Sequence, residues 1–501
     1  MSNESCIKHF LKVSIAHLFL CFAVSSHASD KHLTKSLLQE KTYFKAYQQV
    51  LAQHPSEALL ILDKASGKYP AHEQYIRSLS DVMLILIKGE KKIYDSLYIN
   101  ETNYLKELGQ LSKKDPYKLF VSAEIRIQWA LVKVMFGDEL KAGWSLKSAY
   151  SEIETNMARF PTFQPNNKSM GVLKVLFSAM PEEYHWLLNL FGIAPNGAEG
   201  WHMLHQIDIK NPYATETALI RSMMAVNILN DLETAFKELQ SLRTQLPNHP
   251  VIEYLTATAL IKNAKSQSAL PILIRLSSKL PPLPNYNVYY RLADVYMQKQ
   301  SYDSARIYFN KYLNLYNGQN CVKDASFKIA VSHHLEGQAQ RAFQYWIQAR
   351  QSGSTVLDVD KNAHYMLSAN RLPQPELLKV RYATDGGFFK LAQESLEKIK
   401  PNQLTNPSDQ AEYVYRKARL GHKQGQIQQA ISDYQQTIHL AGDSPWYFAP
   451  SACLNLGYLY AQLKENDHAR MYFEQVLTYK KHQYKRSLDN QANAALQLLA
   501  Q

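Results

Sequence analysis

An alanine followed four residues later by a bulky apolar or aromatic side chain recurs along this chain, and that recurrence restricts the folds open to it. Ala305 and Phe309, Ala342 and Trp346, Ala430 and Tyr434, and Ala469 and Phe473 are the fullest instances. Ala58 with Leu62, Ala235 with Leu239, and Ala269 with Leu273 keep the spacing with leucine as the large member. Residues four apart share one face of an α-helix. A small residue there lets a second helix approach closely, and the large one fills the space beside it. Pro70, Pro247 and Pro281 follow Ala58, Ala235 and Ala269 at one constant distance, as if closing each unit. Period-3.6 patterns dominate throughout, broken by short Pro, Gly and Asn punctuation, and no segment reads convincingly as β.

A second set of residues precedes these alanines. Leu292-Ala293 with Tyr296 leads into Ala305 and Phe309. Ile329-Ala330 leads into Ala342 and Trp346, with His333 in the aromatic position. Leu456-Gly457 with Tyr460 leads into Ala469 and Phe473, and Ala418 leads less completely into Ala430 and Tyr434. Trp129, Ala130, Ala142 and Ala149 give a weaker instance in the N-terminal third. Each unit is therefore a pair of helices, the first carrying a large–small dipeptide and an aromatic, the second an alanine and an aromatic. From Ala305 to Ala342 is 37 residues and from Ala430 to Ala469 is 39. This arrangement resembles the tetratricopeptide repeat, whose period is about 34 residues. The resemblance implies an all-α, right-handed superhelical solenoid whose concave groove holds a partner protein or peptide.

One stretch departs from the repeats. Ser169–Gln206 is the longest strongly apolar stretch outside the N-terminus and reads as helix, turn, helix, turn, helix. Ser169 suits an N-cap, Pro181 with Glu182 and Glu183 a helix start, Gly192 a C-cap, and Pro195-Asn196-Gly197 a turn. It predicts an atypical central helical hairpin that buries Phe177 and Trp186 and places Gly171, Gly192 and Gly200 at helix ends or close helix contacts. Gly171, Leu173, Ser178, Met180-Pro181, Leu187-Leu188, Gly192, Gly200 and Leu204 resemble a segment of the eukaryotic tetratricopeptide-repeat family linked to inclusion-body clearance at lipid droplets. That likeness implies fold and not function, because the address differs.

The expected organisation is a signal peptide at 1–28, an irregular repeat-like region at 29–168, the hairpin at 169–210, a repeat array at 211–356, an irregular joint at 357–408 and a C-terminal repeat pair at 409–501. Within the second of these, Val82–Ile87 and the polar Lys88–Lys92 suggest an extra helical pair with a long loop. Within the joint, helices are expected over Asp360–Leu367 and Glu376–Arg381.

Residues 1–28 carry Lys8 and Lys12, then an apolar run from Val13 to Val24, then Ser26-His27-Ala28. That is the form of a secretory signal, with cleavage between Ala28 and Ser29. The run is too short to span a bilayer. Export, and in a bacterium a periplasmic place, follows as the expectation. The formal net charge of +12 is spread along the chain, with the densest basic run at Lys480–Arg486. A nucleic-acid partner is not expected from so diffuse an excess. Acidic protein partners, or peripheral contact with an anionic membrane surface, fit it better. A membrane- or lipid-associated protein that inserts the apolar 171–193 hairpin is the alternative reading. Cys321 and Cys453 lie too far apart in the sequence for a disulfide framework and read as small core residues.

No catalytic motif is present. His72-Glu73 and His333-His334 do not complete a zinc-protease helix, and there is no nucleophile elbow, phosphate loop or dinucleotide fingerprint. Glu182 and Glu183 diverge by about 100° on a helix, and His185, His202 and His205 read as ordinary surface histidines. The expectation is a non-enzymatic scaffold without cofactor or metal. Asn227, Asn230, Lys262 and Asn263, at first-helix ends of successive repeats, are the candidates to hold a peptide backbone or carboxylate. Tyr289 and Tyr296 are the candidates from a tyrosine-dense repeat, since an amphipathic ring suits peptide recognition.

Overall fold

The computed structural model describes residues 40–65, 67–180, 185–229, 231–278, 286–369 and 372–499. The expected signal segment with Ala28 and Ser29, the pair Glu182-Glu183 with Pro181, Asn230, Pro281 and the Trp186 side chain lie outside the described residues. Among the described residues the regular structure is helical, with no strand.

The N-terminal part is built from α1 (Lys41–Leu51), α2 (Pro55–Leu62), α3 (Pro70–Lys88), α4 (Lys91–Gly109), α5 (Pro116–Met135), α6 (Glu139–Arg159) and α7 (Pro165–Ser178). It continues through the short α8 (His185–Phe191) to α9 (Gly197–His205). Four of these helices begin with a proline at the position where a missing N–H costs nothing. The loop expected after Val82–Ile87 is only Gly89-Glu90. Gly89, at φ 65°, takes the left-handed turn that ends α3, so the polar residues after it start the next helix. Consecutive helices pack as antiparallel hairpins, with α1, α3, α5 and α7 forming one inner row.

The central part is α10 (Ala214–Met224), α11 (Leu232–Gln245), α12 (Pro250–Lys262), α13 (Ser266–Ser278), α14 (Asn287–Gln298), α15 (Tyr302–Leu315), α16 (Val322–Leu335) and α17 (Ala339–Gln351). Here α10, α12, α14 and α16 are the inner helices of four successive hairpins. The signature residues sit where helix meets helix. Leu292, Ala293, Ala305, Phe309 and Ala342 have no exposed surface, and Trp346 is buried. Each large side chain so buried contributes roughly 1.5–3 kcal/mol. Tyr296 stacks on Tyr308 at 5.5 Å, and His333 stacks on Tyr345 at 5.0 Å, so the histidine does take the aromatic position.

Three helices interrupt the array: α18 (Asp358–Ser368), α19 (Pro375–Gly386) and α20 (Phe389–Glu397). The last part is α21 (Pro407–Lys423), α22 (Ile427–Ala441), α23 (Phe448–Gln462), α24 (Asn466–Thr478) and α25 (Lys485–Leu499). Tyr460 stacks on Tyr472 at 5.5 Å, Ala469 is buried, and a Cβ on Gly457 would meet the Phe473 ring at 2.5 Å. The order of packing, each hairpin on the next, is that of a helical-repeat solenoid.

The central apolar stretch holds α7 against α9 at a glycine crossing. A Cβ on Gly171 would come 2.8 Å from Gly200 O, and one on Gly200 would come 2.6 Å from Lys174 Cβ. Gly192 ends α8 at φ 67°, and Phe177 is buried. Asn196 caps α9 by accepting from Glu199 N–H at 3.0 Å. Ser169 is not a cap. The helix already starts at Pro165, and Ser169 lies inside it, its hydroxyl donating to Glu124. Cys321 also departs from expectation: it precedes α16 with φ 58° and is half-buried, whereas Cys453 is a core residue of α23.

Glu124 belongs to a buried polar hub. Lys168 Nζ on α7 lies 2.6 Å from Glu124 Oε2 on α5 and 2.9 Å from Glu216 Oε1 on α10. Tyr47 on α1 donates to Glu216 at 2.5 Å and Tyr75 on α3 donates to it at 2.7 Å. Tyr213 packs edge-on against Tyr47, Tyr75 and Phe120. Burial raises the Glu124 pKa, against the pull of Lys168. Burial would lower Lys168, but the two carboxylates outweigh it and hold the ammonium charged. Four inner helices thus close around the start of α10. A Lys168→Met variant leaves two carboxylates facing each other in the core and should lose about 3–5 kcal/mol in urea unfolding, part of it restored by adding Glu124→Gln and Glu216→Gln. The glycine crossing gives a matched pair. Gly200→Ala should destabilise by about 1–3 kcal/mol through overpacking. Gly143→Ala, inside α6 with nothing within 4 Å, should stabilise by roughly 0.5–1 kcal/mol. Thermal melts of the two variants check both signs.

Candidate functional site

A peptide groove in such a solenoid would be lined by the inner helices. Along α12, α14 and α16 that surface is already covered. Helix α19 crosses all three. At its start Pro373 O receives His334 Nε2 at 2.8 Å, at the end of α16. At its far end Gly386 presses on Gln298 at the end of α14, and Gly387 on the carbonyl of Ala264 after α12. A Cβ at Gly387 would fall 1.7 Å from that carbonyl oxygen, so only glycine fits there, and φ 80° demands it independently. Leu378 and Tyr382 join the core of the central repeats. On the opposite side Leu377, Val380 and Ala383 form a smaller core with Ala392, Leu396 and Leu420.

Beneath α19 lies a satisfied charge network. Lys328 Nζ lies 2.6 Å from Asp294 Oδ1 and 2.7 Å from Asp324 Oδ2, and Tyr290 donates to Asp324 at 2.5 Å. Burial raises Asp324, and Lys328 opposes that. Burial would lower Lys328, but the two aspartates raise it overall. Arg291 lies 3.6 Å from Asp294 Oδ2, so two cations meet two carboxylates and no charge is left over for a ligand.

The sequence-predicted groove residues are dispersed. Lys262 is an exposed residue, yet its ammonium turns inward and donates to Val226 O at 2.8 Å. That carbonyl belongs to a π-helical turn, Ala225–Leu229, which also holds Asn227. Burial, with Arg291 nearby, pulls the Lys262 pKa down to about 8. Asn263 is the half-buried C-cap of α12. Tyr289 is buried, and Tyr296 is engaged with Tyr308 on the outer helix. Lys262 and Asn227 come near one another; the two tyrosines pack between α14 and α15. The apolar hairpin offers no membrane insert along α7, where Gly171–Phe177 are buried save Lys174, and no described helix is long and apolar enough to cross a membrane.

A second inner surface, between α19 and the C-terminal repeats, is only partly covered. Arg381 on α19 lies near Arg416 on α21, among Tyr382, Tyr447 and Tyr484, with Arg419 one turn along α21. Arg416 is buried, donates to Glu412 and to the Tyr447 hydroxyl, and lies 5.3 Å over the Tyr415 ring. Arg419 pairs with Asp385 at 3.1 Å, with side-chain exposure of 27% and 34% respectively. Arg381 hydrogen-bonds only the Tyr484 hydroxyl among the described residues, at 3.4 Å, with Tyr447, Tyr382 and Asp385 close by. His422 adds no charge at neutral pH, since burial and the cations Lys423 and Arg419 push its pKa down to about 4. Burial and Arg419 lower Lys423 as well. Sequence reading missed this cleft. Arg416-Lys417-Ala418-Arg419 was a visible signal, but Arg381 and Tyr484 come from distant segments.

The family model for the tetratricopeptide repeat matches residues 286–318 and 450–483, the two units whose signatures are fullest. No curated protein matches the chain. Among solved structures, the APC/C hetero-tetramer Cut9–Hcn1 is similar at 13% identity over 92% of this chain and 89% of that one, with a TM-score of 0.32. The human IFIT1 dimer with PPP-AAAA is similar at 12% identity over 87% of this chain and 89% of that one, with a TM-score of 0.37.

One buried acid near the covered groove sets a pH dependence. Asp360 on α18 accepts from the N–H groups of Cys321 at 2.8 Å and Asp324 at 3.0 Å, tying α18 to the start of α16. Burial outweighs those hydrogen bonds and lifts its pKa to about 7. The folded-state pKa lies above the unfolded one, so the protonated form is favoured by folding. Its contribution is full below about pH 4 and is lost as pH rises toward 7. Asp360→Asn should remove that fall, so its stability relative to wild type should rise by a few kcal/mol, in order of magnitude, between pH 4 and pH 8. Urea melts of both proteins across that range check it; parallel curves would refute it.

Proposed function

We propose that this protein is an exported interaction scaffold that docks a partner protein on the inner surface of its C-terminal repeats. A tetratricopeptide-repeat solenoid is a fold suited to protein interaction. The observation that carries the more specific reading is the contrast between its two inner surfaces. The one along α12, α14 and α16 lies under α19 with its charges paired. The one along α21 has more cations than acids and leaves Lys423 exposed and Arg419, held by Asp385, part-exposed, with tyrosines beside them. Tyrosine and arginine are the side chains that most often carry binding energy at protein interfaces. Export rests on Lys8, Lys12, the apolar Val13–Val24 and the small residues before Ser29.

Crosslinking followed by capture from the native envelope fraction tests the reading. The chain should be recovered with Ser29 at its N-terminus and with a specific partner. Arg419→Glu with Lys423→Glu should weaken capture about tenfold or more through charge reversal at the interface. Lys262→Ala should leave it intact. Recovery of no specific partner, or equal capture by the reversed variant, would remove the proposed docking face.

A further inference from the structure

The cleft between α19 and the C-terminal repeats holds three guanidinium groups and two carboxylates. Glu412 is taken by Arg416, and Asp385 is taken by Arg419. Arg381 has neither. It is partly buried, and its one hydrogen bond among the described residues, to the Tyr484 hydroxyl, is long. A guanidinium has five N–H donors, and one weak acceptor leaves most of them unsatisfied.

The tyrosines beside it are oriented by that same charge. Tyr484 accepts from Arg381, and Tyr447 accepts from Arg416. A phenol oxygen that accepts from a cation keeps its own proton free to donate. No acceptor for either proton is present among the described residues. The two rings meet edge to face at 5.1 Å, and both tyrosines lie near Arg381. An unpaired cation and two free O–H donors thus share a partly open cleft whose neighbouring guanidinium groups already hold carboxylates.

We infer that Arg381, Tyr447 and Tyr484 form a cradle for a carboxylate on an acidic segment of the partner. The inference rests on the docking reading above and names its chemistry. A carboxylate is favoured over a phosphate because both occupied guanidinium groups in the cleft hold one. It is favoured over a lipid surface because Arg416 and the tyrosines lie within a cleft and not on a flat face.

Binding of a fluorescein-labelled hexaglutamate peptide to the full chain, read by fluorescence anisotropy at low ionic strength, tests it. Wild type should bind hexaglutamate saturably and hexaglutamine not at all. Arg381→Gln should weaken binding about tenfold or more. Arg381→Lys should recover only part of it, since the planar fork is lost. Tyr447→Phe with Tyr484→Phe, which keeps every charge, should cost about threefold or more and serves if Arg381→Gln fails to fold. Equal binding by wild type, Arg381→Gln and the double phenylalanine variant would overturn the cradle. Displacement of hexaglutamate by inorganic phosphate at lower concentration than by glutarate would overturn the choice of carboxylate. Arg381-dependent binding to phosphatidylglycerol vesicles without hexaglutamate binding would do the same. Partner capture that survives Arg381→Gln would sink the cradle and spare the scaffold. Arg381-dependent peptide binding with no captured partner would do the reverse.

Discussion

A single ammonium group holds the first half of this molecule together. Lys168 reaches Glu124 and Glu216, and through Glu216 the hydroxyls of Tyr47 and Tyr75, so α1, α3, α5, α7 and α10 meet at one point. An apolar core would pack these helices in several registers at nearly equal energy. A buried ion cluster does not tolerate that, because any slip leaves a charge unpaired in a medium of low dielectric. The hub therefore ties α1, α3, α5 and α7 to the start of α10. A second long-range tie is at the α3–α4 turn: Gly89 lies against Tyr316, and Asn317 donates to Glu90, between segments more than two hundred residues apart.

The same device recurs on a smaller scale around Lys328. In both places another part of the chain closes on the inner row, Tyr213 and Glu216 at the start of α10 on the first array and α19 on the second. Inner helices of a solenoid carry polar side chains because their surface would otherwise face water. Once a helix of the same chain covers them, these side chains must find partners or cost the fold dearly. Lys168 with its two glutamates and Lys328 with its two aspartates meet that demand from within the chain. A protein that fills its own grooves gains stiffness and gives up the site where a peptide would be expected.

This explains what could and could not be read in the sequence. The repeat units were legible because their signals are local. Ala305 and Phe309, or Gly457 and Ala469, act across one hairpin at fixed offsets, and helix geometry converts those offsets into contacts. The close crossing of Gly171 and Gly200 was legible for the same reason. Ser169 was misread because a serine before an apolar run has the form of a cap, and nothing nearby shows that Pro165 starts the helix earlier. The covering of α12, α14 and α16 by α19 was not legible at all. Pro375–Gly386 reads as one more amphipathic helix, and only its distant contacts with Ala264, Gln298 and His334 reveal where it lies. Lys262 and Asn263 suit an open groove, and over α12, α14 and α16 the groove is closed by α19.

The distinction that bears on function is between charge that is paired and charge that is left over. Lys328 and Arg381 are both cations on inner surfaces, and composition treats them alike. Lys328 has two carboxylates within 2.7 Å and nothing further to offer a ligand. Arg381 has a tyrosine hydroxyl at 3.4 Å and guanidinium groups for neighbours, each with its own acid. Three guanidinium groups share two carboxylates there, and taking the third partly out of water with no acid in contact is costly as long as the site is empty. An incoming carboxylate would relieve it, so binding there draws on free energy already stored in the folded protein. The diffuse positive charge of the chain can steer acidic partners toward it over long distances, but steering is general. Specificity needs a place where one more acid is missing, and the α19–α21 cleft is such a place.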